Sequence, residues 1–127
     1  SNRGQILEIL QGRPEGFLVL SGNDDDTYWM MHQGGAGVIS VASNVAPKHM
    51  AELISAIRGG YTERAFKLNE ELTPLFTNCF VESNPIPAKA ALHAMGLIEN
   101  EFRLPLIPAQ QGTYDLMVET IKKLNLL

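Results

Sequence analysis

The chain has 127 residues, 45% of them hydrophobic and 19% charged, which is an ordinary globular balance and a length suited to one domain at most. Its formal net charge is -4 without any cluster of lysine or arginine, so we expect no nucleic-acid partner. No apolar stretch approaches the roughly 20 residues that cross a bilayer, and no signal-peptide pattern occurs, so we expect no membrane partner. Since Cys79 is the sole cysteine, we expect no disulfide and a reducing, cytoplasmic location.

The first third of the sequence predicts one compact βαβ unit. Residues 1–10 carry apolar side chains at helical spacing and predict a short helix. The apolar runs 17–20 and 37–41 predict two parallel strands, each buried on both faces. Between them, Asp24, Asp25 and Asp26 favour the start of a helix that ends near Gly34, because carboxylates stabilise the positive end of a helix dipole.

The remainder of the chain predicts helices. One begins at Pro47 and ends before Gly59, and the next begins at Thr62 and should kink at Pro74. Two more are predicted over residues 88–95 and 113–124, separated by an extended, proline-restricted segment over residues 102–108.

A two-stranded parallel sheet is incomplete by itself. Parallel sheets are normally covered on both faces and contain several strands, whereas this chain offers helices for only one face. The open edges would invite pairing with another chain. We therefore expect the sequence to be the end of a larger α/β protein, an interpretation that a helix already under way at Ser1 supports.

Three motifs resemble the dihydrodipicolinate synthase family. Residues 19–24 and 34–41 are similar to the last two strands of that family's barrel. The family's Glu-x-Asn-Pro-Ile-Pro-x-Lys segment is matched at residues 82–89, and its Leu-Arg-Leu-Pro run at Leu97 with residues 103–106. The motifs occur in the family's order and span nearly the whole chain. The Asn-Pro-Ile-Pro run argues against the related sialic-acid lyases.

The resemblance implies an α/β fold of a particular kind: the C-terminal part of a TIM (β/α)8 barrel, followed by a three-helix extension. Residues 1–58 would form the end of the barrel and residues 59–127 the helical extension. The active site of such a barrel lies at the C-terminal ends of its strands. Gly22, Asn23 and Ile39 are predicted at those ends.

The resemblance also implies a chemistry. The family condenses pyruvate with aspartate semialdehyde through a lysine Schiff base, as a lyase of lysine and diaminopimelate biosynthesis that needs no further cofactor and no metal. By resemblance, Gly22 lets the backbone approach the substrate carboxylate, and Ile39 offers a main-chain carbonyl beside the Schiff base. Asn23 replaces the aspartate common in the family, which leaves its polar role open.

No catalytic residue of the family has a counterpart in this chain. The Schiff-base lysine is expected upstream of Ser1, as are the relay tyrosine and threonines. The lysines present all fall on predicted helices: Lys48, Lys67, Lys89, Lys122 and Lys123. We therefore expect the parent protein to be an enzyme and this chain alone to be inactive. The missing N-terminal fragment is a possible partner, and the resemblance implies a homotetramer.

Other polar groups have simpler interpretations. Three consecutive acids at a helix start are more often dipole partners than a metal site, and the histidines (His32, His49 and His93) lie on different helices without ligand spacing. Cys79 is expected to be a buried structural thiol. Trp29 and His32 are expected at a subunit interface, since the matching family helix joins dimers into a tetramer.

Two alternatives remain open. The chain could be a non-catalytic, self-associating module, because exposed sheet edges favour association. It could also derive from a sister aldolase acting on another 2-oxo acid adduct, since the residues that select the aldehyde lie mostly upstream in the family.

Overall fold

The computed structural model describes residues 1–127, which form two strands and seven helices. The strands are β1 (Leu20–Ser21) and β2 (Gly37–Val38). The helices are α1 (Arg3–Gly12), α2 (Asp24–His32), α3 (Ala42–Val45), α4 (Pro47–Arg58), α5 (Thr62–Asn78), α6 (Ile86–Ala94) and α7 (Gln111–Lys123). The chain is therefore α/β, with most of its regular structure in helices.

The βαβ unit is present, and its strands are parallel as predicted. Leu20 pairs with Gly37 and Ser21 with Val38, with α2 as the crossover. The strands are much shorter than the apolar runs 17–20 and 37–41 suggested. A strand needs a partner along its whole length, and β1 and β2 are the only two in the sheet.

The expected burial of the strand residues on both faces is not found within this chain. The side chains of Phe17, Leu18, Leu20 and Ile39 are exposed, Leu18 to 73% and Ile39 to 69%. The helices therefore cover one side of the sheet and leave apolar side chains on the other side exposed. This agrees with the expectation that a sheet of only two strands is incomplete by itself.

The helices begin and end where the local chemistry indicates, with a few shifts. Asn2 caps α1 by accepting the N–H of Gln5 at 3.1 Å, and Pro47 is the first residue of α4. Pro74 lies inside α5, which nevertheless continues to Asn78. Helix α3 was not predicted, because its four residues are too few for apolar side chains to recur at helical spacing.

One hydrophobic core joins the helices that follow the sheet. It runs from α3 and α4 through α5 to α6 and α7, and its fully buried side chains include Leu53, Leu72, Leu75, Met117 and Ile121. The apolar stripe predicted for α5 is buried, with Leu72 and Leu75 at its centre. This core holds α3, and therefore the segment after β2, against the helices of the second half.

None of the helices combines the length and apolar character that crossing a bilayer requires.

Candidate functional site at the strand ends

The carboxyl ends of β1 and β2 lie side by side. The last ladder pair is Ser21 with Val38, and the Ile39 N–H then donates to the Ser21 carbonyl at 2.9 Å. Gly22 and Ile39 are thus the first residues beyond the paired strands, at the same edge of the sheet. Carboxyl ends of parallel strands are where α/β proteins place ligands.

The turn after β1 is held by a buried serine. The Ser21 hydroxyl donates to the Asn23 carbonyl at 2.7 Å and accepts the Asn23 N–H at 3.2 Å, which closes a tight turn around Gly22. The Thr27 hydroxyl donates to the same Asn23 carbonyl at 2.8 Å. The side chains of Ser21 and Thr27 therefore fix the backbone around Gly22, a role that the sequence pattern does not reveal.

Gly22 itself faces open space. A Cβ built on it would meet no heavy atom within 4 Å. Nothing within this chain therefore requires glycine at this position, and its approach to a substrate remains a prediction.

Asn23 precedes α2 but does not cap it through its side chain. Its Nδ2 donates to the Ser1 hydroxyl at 3.1 Å, and that hydroxyl donates in turn to Asp26. Asn23, Ser1 and Asp26 also line a shallow cavity of about 190 Å³ between α1 and β1, together with Gly22. The hydrogen-bonded side chains of Ser1, Asn23 and Asp26 therefore lie next to the carboxyl end of β1.

Asp24 holds the segment after β2, a role that the sequence did not reveal. Its Oδ2 accepts the N–H groups of Val41 at 3.0 Å and Ala42 at 2.9 Å, and so caps the start of α3. Asp24 is 3% exposed, and its Oδ1 is buried without a hydrogen-bond partner. The sequence indicated an acid at the start of α2, but its bonding partners lie 17 and 18 residues away.

Asp24 also acts on the sole cysteine. Burial raises the pKa of Cys79 to about 12, and the negative charge of Asp24 adds to the effect in the same direction. Cys79 is fully buried and belongs to the hydrophobic core. The thiol is therefore neutral near pH 7, as expected for a structural cysteine rather than a nucleophile.

The lysines stay away from the strand ends. None lines the 190 Å³ cavity or the neighbouring cavity of about 480 Å³ between Asn23 and the end of α5. Lys89, the lysine of the Asn-Pro-Ile-Pro motif, donates to the Glu101 carbonyl and lies over the Phe102 ring, 4.1 Å from its centroid. Its ammonium therefore ties α6 to the segment before α7.

No group of three or more His, Cys, Asp or Glu side chains is arranged to hold a metal ion. His32 donates through Nδ1 to the Tyr28 carbonyl at 2.7 Å, and His93 pairs with the Tyr114 hydroxyl at 2.9 Å. Trp29 is half-buried, with the Arg3 guanidinium 4.7 Å from its ring centroid. These contacts join α1 to α2 and α6 to α7.

The sequence of this chain matches one protein family over nearly its whole length. The model of the dihydrodipicolinate synthetase family matches residues 2–124. A 4-hydroxy-tetrahydrodipicolinate synthase of Thermotoga sp. (strain RQ2) is 51% identical over 123 residues, which are 97% of this chain and 42% of that protein. The chain thus spans less than half the length of the curated relatives that it matches.

Solved structures of dihydrodipicolinate synthases match the fold of this chain. The crystal structure of dihydrodipicolinate synthase from Thermotoga maritima matches with a TM-score of 0.93 at 48% identity, over 98% of this chain and 43% of that one. The pyruvate complex of the Acinetobacter baumannii enzyme matches with a TM-score of 0.92 at 32% identity, over 99% of this chain and 43% of that one. The two parallel strands and seven helices are consistent with part of a TIM barrel. The chain therefore belongs to the dihydrodipicolinate synthetase family.

Proposed function

We propose that this chain forms the C-terminal part of a 4-hydroxy-tetrahydrodipicolinate synthase, contributing the last two barrel strands and a three-helix extension. The intact enzyme would condense pyruvate with aspartate semialdehyde through a lysine Schiff base, in lysine and diaminopimelate biosynthesis. One observation carries the proposal. Gly22 and Ile39 meet at the carboxyl ends of parallel strands, in a chain that matches 43% of a synthase solved with pyruvate.

The proposed contribution of the chain is the wall of the pyruvate pocket. At Gly22 the absence of a side chain leaves the main chain open for a carboxylate to approach. The Ile39 carbonyl would lie beside the Schiff base, and the Asn23 amide would supply a neutral polar group at the rim. We further propose that residues 1–58 complete the barrel and that residues 59–127 form the extension, although one core joins both parts.

The nucleophile is proposed to come from the remainder of the synthase. A Schiff-base lysine needs a neutral amine, which burial next to the substrate favours by lowering its pKa. The lysines of this chain lie on helices away from both cavities at the strand ends, so none is in a position to attack a carbonyl there. The chain alone is therefore expected to be inactive.

Turnover measurements test this proposal. We define the hybrid synthase as the Thermotoga sp. relative in which this chain replaces the matching segment. The 127-residue chain should give no product from pyruvate and aspartate semialdehyde above a heat-treated control, whereas the hybrid synthase should turn over. Turnover by the chain alone, or a folded hybrid without activity, would contradict the proposal.

A homotetramer and a reducing compartment belong to the same proposal. Trp29 is only half-buried and His32 is exposed on α2, which is compatible with a subunit contact on that face. Cys79 is a free thiol. Native mass spectrometry of the hybrid synthase tests the assembly: a tetramer is expected, and a monomer at micromolar concentration would contradict it.

A self-associating, non-catalytic module is the second candidate. The uncovered side chains of Phe17, Leu18, Leu20 and Ile39 favour it, because exposed apolar side chains beside open strand edges promote association. This candidate predicts stable oligomers of the chain alone and no activity of the hybrid. The first candidate predicts an active hybrid, so the same turnover measurement separates the two.

A further inference from the structure

The peptide unit that carries the Ile39 carbonyl lies between two anchored peptide units. On one side, the Ile39 N–H donates to the Ser21 carbonyl at 2.9 Å. On the other side, the Val41 N–H donates to Asp24 Oδ2 at 3.0 Å. With both neighbouring units fixed, the direction of the carbonyl between them is also restricted.

Core packing also holds α3, but no hydrogen bond other than those to Asp24 joins the start of the segment 40–46 to the turn after β1. The N–H groups of Ser43 and Ala46 form hydrogen bonds within residues 40–46. The Ser43 N–H donates to the Ser40 hydroxyl at 2.8 Å, and the Ala46 N–H donates to the Ala42 carbonyl at 2.8 Å. The Asp24 carboxylate is 3% exposed, so water competes little for its two bonds.

We propose that Asp24 is a positioning residue of the pyruvate pocket, because it fixes the Ile39 carbonyl relative to Gly22. Asp24 follows Asn23 directly, and its carboxylate reaches across to the Val41 and Ala42 N–H groups. A single side chain thus couples the two strand ends that the proposed pocket uses. The catalytic part of this inference rests on the proposed function, whereas the coupling itself does not.

Three variants separate this role from general stability. Asp24→Ala removes both acceptor bonds. Asp24→Asn keeps one oxygen that can accept both N–H groups, so it should rescue the coupling. Asp25→Ala is the matched control, because Asp25 is the exposed neighbouring acid and makes no hydrogen bond to residues 40–46.

Amide hydrogen exchange in the 127-residue chain tests the coupling. Asp24→Ala should lose protection at Val41 and Ala42, while Asp24→Asn and Asp25→Ala should retain it. If Asp24→Ala proves unfolded, Asp24→Ser takes its place, since its shorter side chain cannot reach both N–H groups. Full protection at Val41 and Ala42 in a folded Ala or Ser variant would overturn the coupling, whatever the enzyme assay gives.

Kinetics of the hybrid synthase test the positioning role. Asp24→Ala should raise the KM for pyruvate about tenfold with a smaller change in kcat, since a displaced carbonyl weakens binding. A merely structural role would reduce the active fraction, which lowers apparent kcat and leaves KM unchanged. An unaltered KM for pyruvate would therefore overturn the positioning role. An inactive unsubstituted hybrid would instead overturn the proposed function and this role with it, and leave the exchange result valid.

Discussion

At the scale of single residues, the pKa of the Cys79 thiol departs most from its ordinary value. The thiol is buried in the core and lies in the field of Asp24, and both effects raise its pKa to about 12. Between the ordinary value of 9.0 and about 12, the unfolded chain loses the thiol proton while the folded chain keeps it. The folded state then binds more protons, so the contribution of this group to stability is complete below pH 9 and is lost as the pH rises.

The folded protein should therefore lose stability in alkaline solution. The free energy of unfolding should fall above pH 9 by at most about 1.4 kcal/mol per pH unit because of this group. Urea titrations at several pH values measure it, with Cys79→Ala as the control that removes the ionisation. The two proteins are compared by the slope of the free energy of unfolding against pH. Its absolute value is not compared, because Cys79→Ala also leaves a cavity in the core. Identical pH slopes in both proteins would contradict the argument.

At the scale of the elements, the connection between α2 and β2 depends on a close approach at Gly35. Its N–H donates to the Met30 carbonyl at 2.9 Å, and a Cβ built on it would lie 2.9 Å from that same oxygen. A methyl group here would push the chain away from the end of α2 just before the strand begins. The glycine thus sets where β2 starts, and through β2 where Ile39 lies.

Gly35→Ala should therefore destabilise the fold by about 1–3 kcal/mol. The matched control is Gly12→Ala in α1, where a Cβ would meet nothing within 4 Å and the change should stay within about 1 kcal/mol of zero. Chemical denaturation of both variants provides the measurement. Equal free energies of unfolding for the two variants would show that the backbone near Gly35 can shift to accept a methyl group without loss of stability.

The sequence predicted the helices better than the strands. Pro47 and the paired glycines after Arg58 bound α4 through local chemistry, so its limits could be predicted within this segment. The strands depend on partners: residues 17–19 are apolar but join no ladder, since the sheet has only two strands. The apolar pattern of a run does not show how many of its residues will pair with a neighbouring strand.

The candidate site was predicted in part, for the same physical reason. The family resemblance placed Gly22 and Ile39 at the C-terminal ends of the two predicted strands, and the structure brings these two residues to one edge of the sheet. Asp24 was recognised only as an acid at a helix start, because its bonds to Val41 and Ala42 join residues distant in sequence. Long-range hydrogen bonds of this kind have no periodic signature.

At the scale of the whole molecule, the uncovered side of the sheet should behave differently in the chain and in the hybrid synthase. Leu18 is 73% exposed in the chain, so Leu18→Lys should raise its soluble concentration and leave its free energy of unfolding nearly unchanged. In the hybrid, the remainder of the barrel should cover this position, and the same substitution should lower the thermal midpoint.

Light scattering of the chain and thermal unfolding of both proteins measure this contrast. Leu104→Lys serves as the control, because Leu104 is 84% exposed and lies in the segment before α7, away from the sheet. A Leu18→Lys hybrid with an unchanged midpoint would mean that the barrel does not close over this side of the sheet.

We propose that this chain forms the pocket wall of a Schiff-base synthase whose lysine lies in the rest of the protein. The most direct measurement is borohydride reduction of the hybrid synthase with pyruvate, followed by peptide mass mapping. Reduction turns the imine into a stable secondary amine on the lysine that formed it. We expect one adduct, on a lysine contributed by the Thermotoga sp. portion. An adduct on Lys89, or on any other lysine of this chain, would contradict the proposal.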